Sequence, residues 1–383
     1  MRPYQSGRRP TALAMLALAL ALAGVASVAQ VRNPLPVPDV GGYRTLKCDL
    51  HMHTVFSDGE VWPTTRILEA WRDGLDVIAI TDHDEYNPHK GDVSKDLVRP
   101  HELAQKLAAQ FGLLLVPAVE ITRGDIHHNA LFVTAPNAFA GLGLEEALLQ
   151  ARAQDAFVFW NHPGWRTTTT TWLPEIDPLH GKGLIQGVEL INGPVVYPEV
   201  FEWAEPKKLT MIATSDEHEP LSDRFLPHNR PVTLAFAKTA DMAGLREALF
   251  QRRTACWGSG RVWGAAEWLN GLWSGSVSVL NPELRLGLKD RYTTIHFRNR
   301  SAIPYLILLR QSPPWLRITS TELKPERVTA TRLSITENAP VGEHKLEAEL
   351  EITNLHVEPG KNLMVKIPLH IRIAEQIDVR ETP

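Results

Sequence analysis

Between about residues 44 and 255, short apolar runs alternate with amphipathic stretches. The apolar runs predict strands over Leu46–Met52, Val77–Thr81, Leu113–Ile121, Asn129–Thr134, Phe157–Trp160, Gly187–Ile191, Met211–Thr214 and Val232–Ala237. Helical periodicity predicts helices over Thr64–Asp73, Pro100–Gln110, Leu144–Ala153 and Ala240–Arg252. Strands alternating with helices point to parallel pairing and an α/β fold. After about residue 265 the helical pattern disappears. Leu346, Ala348, Leu350 and Ile352 alternate with Lys or Glu, and Leu363, Val365, Ile367, Leu369, Ile371 and Ile373 alternate again. Period two with turn signals such as Glu358-Pro-Gly360 predicts an antiparallel β-sandwich, read as an accessory domain over 266–383.

Composition adds little to this picture except at the start of the chain. The 22% of charged residues is ordinary for a globular protein, and the net charge of −4, with no basic stripe interleaved with aromatics, gives no nucleic-acid surface. Residues 1–29 read as a secretory signal peptide. Arg2, Arg8 and Arg9 make the positive region, 11–23 is an uncharged Ala/Leu run, and small residues lead to a cleavage site after Ala29. Its removal takes three arginines and no acids, so the formal charge becomes −7. The expected location is then periplasmic or extracellular, with no membrane contact after cleavage and either general or twin-arginine export. Cys48 and Cys256 lack metal-site spacing, and either pair in the oxidising compartment or stand as two buried thiols on separate strands.

The candidate chemistry collects at the ends of the predicted strands. The first gives Asp49-Leu-His51-Met-His53, where period two places both imidazoles on one face. Asp58 follows in a turn, then Thr81-Asp82-His83, Glu120, His127-His128-Asn129, Asn161-His162-Pro163 and Ser215-Asp216-Glu217-His218. A single His-x-His pair is most often a hydrogen-bonded core or surface feature. A succession of such groups at strand ends, which a βα barrel gathers on one face, predicts a metal site of His and carboxylate ligands. More than four ligands implies more than one ion.

In this order the motifs resemble the PHP (polymerase and histidinol phosphatase) superfamily over about residues 44–255. The resemblance implies a distorted seven-stranded βα barrel, over residues 30–265, with a three-metal centre. By that resemblance His51, His53, Glu120 and Asp216 would hold the first ion and carry catalysis through it. Asp58, His83 and His218 would hold the second, and His127 and His162 the third, with Glu120 bridging. The H-x-N phase selects His127, and His128 is the alternative one residue along. The ions would be Mn or Zn, with Fe also compatible.

Stretches around Phe56–Pro63, Glu85–Lys90, Phe159–Trp165 and Arg230–Leu234 resemble secreted PHP phosphodiesterases, a group that includes enzymes acting on haloalkyl phosphate diesters. The expected activity is hydrolysis of a small phosphate diester by a metal-activated hydroxide. Tyr86, His89, Lys90, Trp165, Arg166 and Arg230 are candidates for the substrate pocket, and Asp49 and Asn161 for orienting the ligands. Phosphomonoester or carbamate hydrolysis, and a metal-holding binding protein without catalysis, are the alternatives.

Overall fold

The computed structural model describes residues 31–165, 170–221 and 230–376. Residues 1–30 (which include the expected signal peptide), Arg166 and the stretch 222–229 lie outside the described residues. The first part runs β1 (Arg44–Asp49), α1 (Pro63–Arg72), β2 (Val77–Ile80), α2 (Arg99–Phe111), β3 (Leu114–Arg123), β4 (Ile126–Leu131), α3 (Leu144–Ala153) and β5 (Phe157–Trp160). It continues with α4 (Ile176–Gly181), β6 (Gly187–Asn192), β7 (Val195–Val196), α5 (Pro198–Lys207), β8 (Thr210–Thr214), β9 (Val232–Ala237), α6 (Met242–Phe250), β10 (Thr254–Gly258) and β11 (Arg261–Gly264).

The strands form one large mixed sheet, so the expectation of parallel pairing is corrected. The pairs β1–β2, β2–β3, β5–β6 and β6–β8 are parallel, whereas β3–β4, β4–β5, β1–β9 and β9–β10 are antiparallel. The physical reason lies in the connections. Parallel neighbours need a crossover, but β3 and β4 are joined by only Gly124 and Asp125, with Gly124 at φ 63°, and a link that short makes a hairpin.

The sheet curls until β8 meets β9. Thr233 of β9 closes that seam with its side chain: its hydroxyl donates to the Ala213 carbonyl and accepts from the Ala213 amide, each at 2.8 Å. Thr233 also lies between the cysteines. Cys48 of β1 and Cys256 of β10 each pair in register with Thr233. Two strand spacings put them about 10 Å apart, beyond the ~7 Å that a disulfide spans, and both are buried free thiols.

The second part opens with α7 (Ala266–Ser276), a helix where only strands were expected. Trp268, Leu269, Leu272 and Trp273 recur at helical spacing and are all buried. Each such side chain contributes about 1.5–3 kcal/mol on leaving water. Strands β12 (Val277–Val279), β13 (Glu283–Gly287), β14 (Tyr292–Asn299), β15 (Tyr305–Gln311), β16 (Leu316–Ile318), β17 (Thr321–Leu323), β18 (Val328–Ile335), β19 (Gly342–Glu358) and β20 (Lys361–Ala374) follow. β12, β14, β18 and β16 make a separate antiparallel sheet, whereas β19 and β20 extend the large one through β11. Ile295, Phe297 and Leu333 of the smaller sheet share one apolar core with Leu350, Ile352 and Ile371. That core runs on without a break through Trp268 of α7 to Phe236 and Ile78 of the first part.

Candidate metal centre

β1 delivers the first two imidazoles. His51 and His53 follow its last residue, two apart, so their rings share a face, and both are fully buried. Their Nε2 atoms lie 3.1 Å from each other. Both face Glu120 Oε2, at 3.2 and 3.1 Å, and Asp216 Oδ1, at 3.1 and 3.2 Å. Glu120 comes from the middle of β3. Its other oxygen, Oε1, lies 2.9 Å from His127 Nδ1 and 3.8 Å from His162 Nε2. His83 reaches both sides, with Nδ1 3.2 Å from Glu120 Oε2 and Nε2 3.5 Å from Asp58 Oδ1. His218 Nε2 lies 3.3 Å from the same Asp58 oxygen.

Local backbone makes these approaches feasible. The Asp58 turn passes so close to β1 that a Cβ on Gly59 would sit 2.6 Å from the His53 carbonyl carbon. His162 and Asp216 occupy left-handed backbone, at φ 28° and 50°. Non-glycine residues there cost about 1–3 kcal/mol each. Buried hydrogen bonds hold them: the Asp216 amide donates to the His51 carbonyl at 3.0 Å, and the His162 amide to Glu189 Oε2 at 2.6 Å.

The electrostatics favour cations. Burial alone would lower the His51 pKa, but Asp216, Glu120 and Glu189 outweigh it and hold the imidazole well above its ordinary range. His53, His162 and His218 are raised against burial in the same way. Burial alone would raise Glu120 and Asp216, but the surrounding imidazoles hold both well below the usual carboxylate range. The negative potential that holds protons on these imidazoles also favours a metal cation, which would take the proton's place. Asp58 Oδ1 and Asp216 Oδ1 are buried yet accept no hydrogen bond from the described residues. Two such oxygens facing ring nitrogens are what an imidazole–carboxylate metal site requires. His53–Asp58–His83–His218, His51–His53–Glu120 and His83–Glu120–His127 are each compact enough to share one ion. His53 and His83 therefore stand between groups, a sharing that strand-end motifs alone do not show.

The pocket candidates divide. Tyr86 and Trp165 line a cavity of about 440 Å³ together with Asp58, His83, His127, His162 and His218. Tyr86 leans on His83, with ring centres 6.2 Å apart, and Trp165 lies 5.1 Å from both His127 and His162. His89 and Lys90 do not line it, and Arg166 is outside the described residues. Arg230 is corrected from pocket cation to structural clamp. It is buried and binds Asp49 Oδ2, at 2.7 Å, and Asp73 Oδ2, at 3.0 Å. The expectation placed it in the substrate pocket, whereas two carboxylates neutralise it inside the fold.

Asn161 donates to Glu120 Oε1 at 2.8 Å. Asp49 touches no ligand side chain and instead accepts from the Ser215 amide at 3.1 Å, one residue before Asp216. Several supporting residues had not been anticipated. Ser57 Oγ lies 3.2 Å from His53 Nδ1 and is held by Asp82, and Thr122 Oγ1 lies 2.6 Å from His83 Nδ1. Glu189 Oε1 lies 2.8 Å from His51 Nδ1. Its signal was a lone carboxylate inside the buried strand Gly187-Val-Glu-Leu-Ile191.

His128 points away from the cluster, and neither ring nitrogen has a hydrogen-bond partner among the described residues. Burial, with His127 nearby, pushes its pKa down to about 3. Below pH 6.5 the unfolded chain takes up a proton there and the fold does not, so this residue makes stability fall as pH drops from 6.5 towards 3. At pH 4.5 the cost is about 2–3 kcal/mol relative to pH 7. Urea unfolding of metal-free protein should show His128→Asn losing that much less than wild type between the two pH values. An identical loss in both would refute the effect.

A solved two-domain protein from Bacteroides vulgatus, described as containing a PHP-like metal-dependent phosphoesterase, is 37% identical to this chain. It superposes with a TM-score of 0.81, over 89% of this chain and all of that one. A protein from Bifidobacterium adolescentis described as a metal-dependent phosphoesterase matches at 18% identity and a TM-score of 0.38, over 53% of this chain and 96% of its own. The second likeness is too slight to inform the chemistry. Neither protein-family models nor curated proteins give a match.

Proposed function

Because the chain belongs to the PHP-like metal-dependent phosphoesterases, we propose that it hydrolyses small organic phosphate diesters at a three-ion centre. The curled sheet is then the distorted barrel of that family. His51, His53, Glu120 and Asp216 would hold one Mn or Zn ion, Asp58, His83 and His218 a second, and His127 and His162 a third shared through Glu120. Such ions polarise phosphoryl oxygens and lower the pKa of adjacent water towards ~7.

The protein's own side chains do the rest. Their burial is graded: His51, His53 and Glu120 are sealed, whereas the side chains of Asp58 and His218 are 26% and 33% exposed. Substrate would therefore approach over Asp58 and His218. The observation that carries the diester reading is the pair of exposed rings at the cavity. Tyr86 and Trp165 are 53% and 39% exposed and lean on different ligand imidazoles. Each offers an apolar face to one organic arm of a diester while the phosphoryl group meets the ligand cluster. A short haloalkyl arm is compatible with such faces.

The test is a panel of bis-p-nitrophenyl phosphate, p-nitrophenyl phosphate and a naphthyl carbamate, with metal analysis of the same sample. The diester should be the best substrate. A tenfold or greater preference for the monoester would overturn the reading, as would turnover of the carbamate alone. Bound metal with no turnover of any ester would favour a binding protein. Export after cleavage at Ala29 belongs to the same proposal, and the mass of the exported chain should begin at Gln30.

A further inference from the structure

Glu189 sits in β6 among apolar neighbours and is fully buried. Four groups converge on its carboxylate. Oε1 lies 2.8 Å from His51 Nδ1 and accepts from the Thr214 hydroxyl at 2.6 Å. Oε2 accepts from the His162 amide at 2.6 Å and from Asn192 Nδ2 at 2.9 Å. Asn192 Nδ2 also donates to Asp216 Oδ2 at 3.0 Å.

We propose that Glu189 is a positioning residue that fixes the ring tautomer of His51 and ties the seats of His162 and Asp216 to it. A carboxylate only accepts, so the His51 nitrogen facing it, Nδ1, carries the proton. The other nitrogen, Nε2, then keeps its lone pair towards Glu120 and Asp216, where an ion would bind. The same carboxylate fixes the His162 backbone in its left-handed conformation, and through Asn192 it orients the second oxygen of Asp216. One residue thus sets a ligand's lone pair and two ligands' positions without contacting substrate. Outer partners of this kind are worth about 10–100-fold in metal affinity. The inference rests on reading the cluster as a metal centre, not on which ester is cut.

Glu189→Gln keeps the shape but replaces one acceptor oxygen with an NH2 group. If that group faces His51, the ring must present an acceptor at Nδ1 and move its proton to Nε2, which blocks coordination. If it faces the His162 amide, two donors collide. Zinc titration of metal-free protein should show at least tenfold weaker binding in Glu189→Gln. In the zinc-loaded wild type, which is diamagnetic, 15N NMR should show a hydrogen-bonded Nδ1–H on His51, assigned by its loss in His51→Gln. That signal should vanish in Glu189→Gln when the NH2 group faces His51, and persist with weaker zinc binding when it faces the His162 amide.

Thr214→Val removes only the hydroxyl that shares Oε1, and should keep both the signal and zinc affinity within about threefold, well inside the range of an orienting partner. Unchanged zinc affinity in Glu189→Gln would overturn the proposal. If Glu189→Gln does not fold, the wild-type spectrum decides: zinc bound through His51 Nδ1 would overturn the proposal. Wild-type protein that takes up no zinc or manganese would overturn the metal-centre reading itself.

Discussion

Glu120→Ala should abolish turnover, by at least about a thousandfold, and strip bound metal, while the fold persists. The size follows from how many groups meet at one carboxylate. Its Oε2 lies within 3.2 Å of nitrogens of His51, His53 and His83, and its Oε1 meets His127 and Asn161 at 2.9 and 2.8 Å. Losing a partner that merely orients a ligand costs about 10–100-fold. Losing the carboxylate that two of the three candidate ligand groups share must cost more. His51→Ala should give a similar loss through the first group alone. Metal analysis and turnover on the same preparations check both, with thermal melting as the control for folding. Wild-type activity in either variant would show that the cluster is not the active site.

Arg66→Met should remove about 3–5 kcal/mol of stability, the usual cost of breaking a buried ion pair. Arg66 is fully buried in α1. It bridges Glu69 at 2.8 Å, the His53 carbonyl at 2.9 Å, and the carbonyls of Glu217 and Glu219 at 2.8 Å each. One guanidinium therefore joins the end of β1 to the loop that carries Asp216 and His218. Methionine fills similar space but leaves the Glu69 carboxylate and three carbonyls short of a donor. Against a total of about 5–15 kcal/mol, this is a large share of the fold's stability. Denaturant unfolding measures it, and a loss below about 1 kcal/mol would mean that the clamp is dispensable. Metal affinity should fall in the same variant, because the His53 backbone and the residues on either side of His218 lose a common tether.

Period two and the strand-end positions made much of the ligand cluster legible beforehand. His51, His53 and Asp216 could be placed because each stands where an apolar run gives way to a polar turn, whereas Glu120, inside β3, and His127, near the start of β4, were placed by the order of the motifs. Residues that act through others were not legible in this way. Glu189 looks like an error in an apolar strand until the imidazole opposite it is known, and Asn192 and Ser57 are ordinary polar residues of loops and strand ends. Arg230 was misplaced because charge suggests solvent, and Asp49 and Asp73 lie 181 and 157 residues away in sequence. Strand direction failed at the β3–β4 hairpin, where a two-residue link carried the information. Helix α7 was missed because its tryptophans and leucines were absorbed into a region dominated by period two.

The unbroken core between the curled sheet and the C-terminal strands bears on how such a protein can change. Trp268 of α7 stacks on Phe236 of β9 with ring centres 4.6 Å apart, and β11 pairs directly with β19. The Pro36 carbonyl accepts from the Ala302 amide, so the chain preceding β1 is stitched into the later strands as well. A recombination boundary drawn near residue 265 would cut through packed side chains rather than a linker. The segments around Tyr86 and Trp165, which line the cavity beside the His/carboxylate cluster, lie outside that shared core and can be exchanged without cutting it.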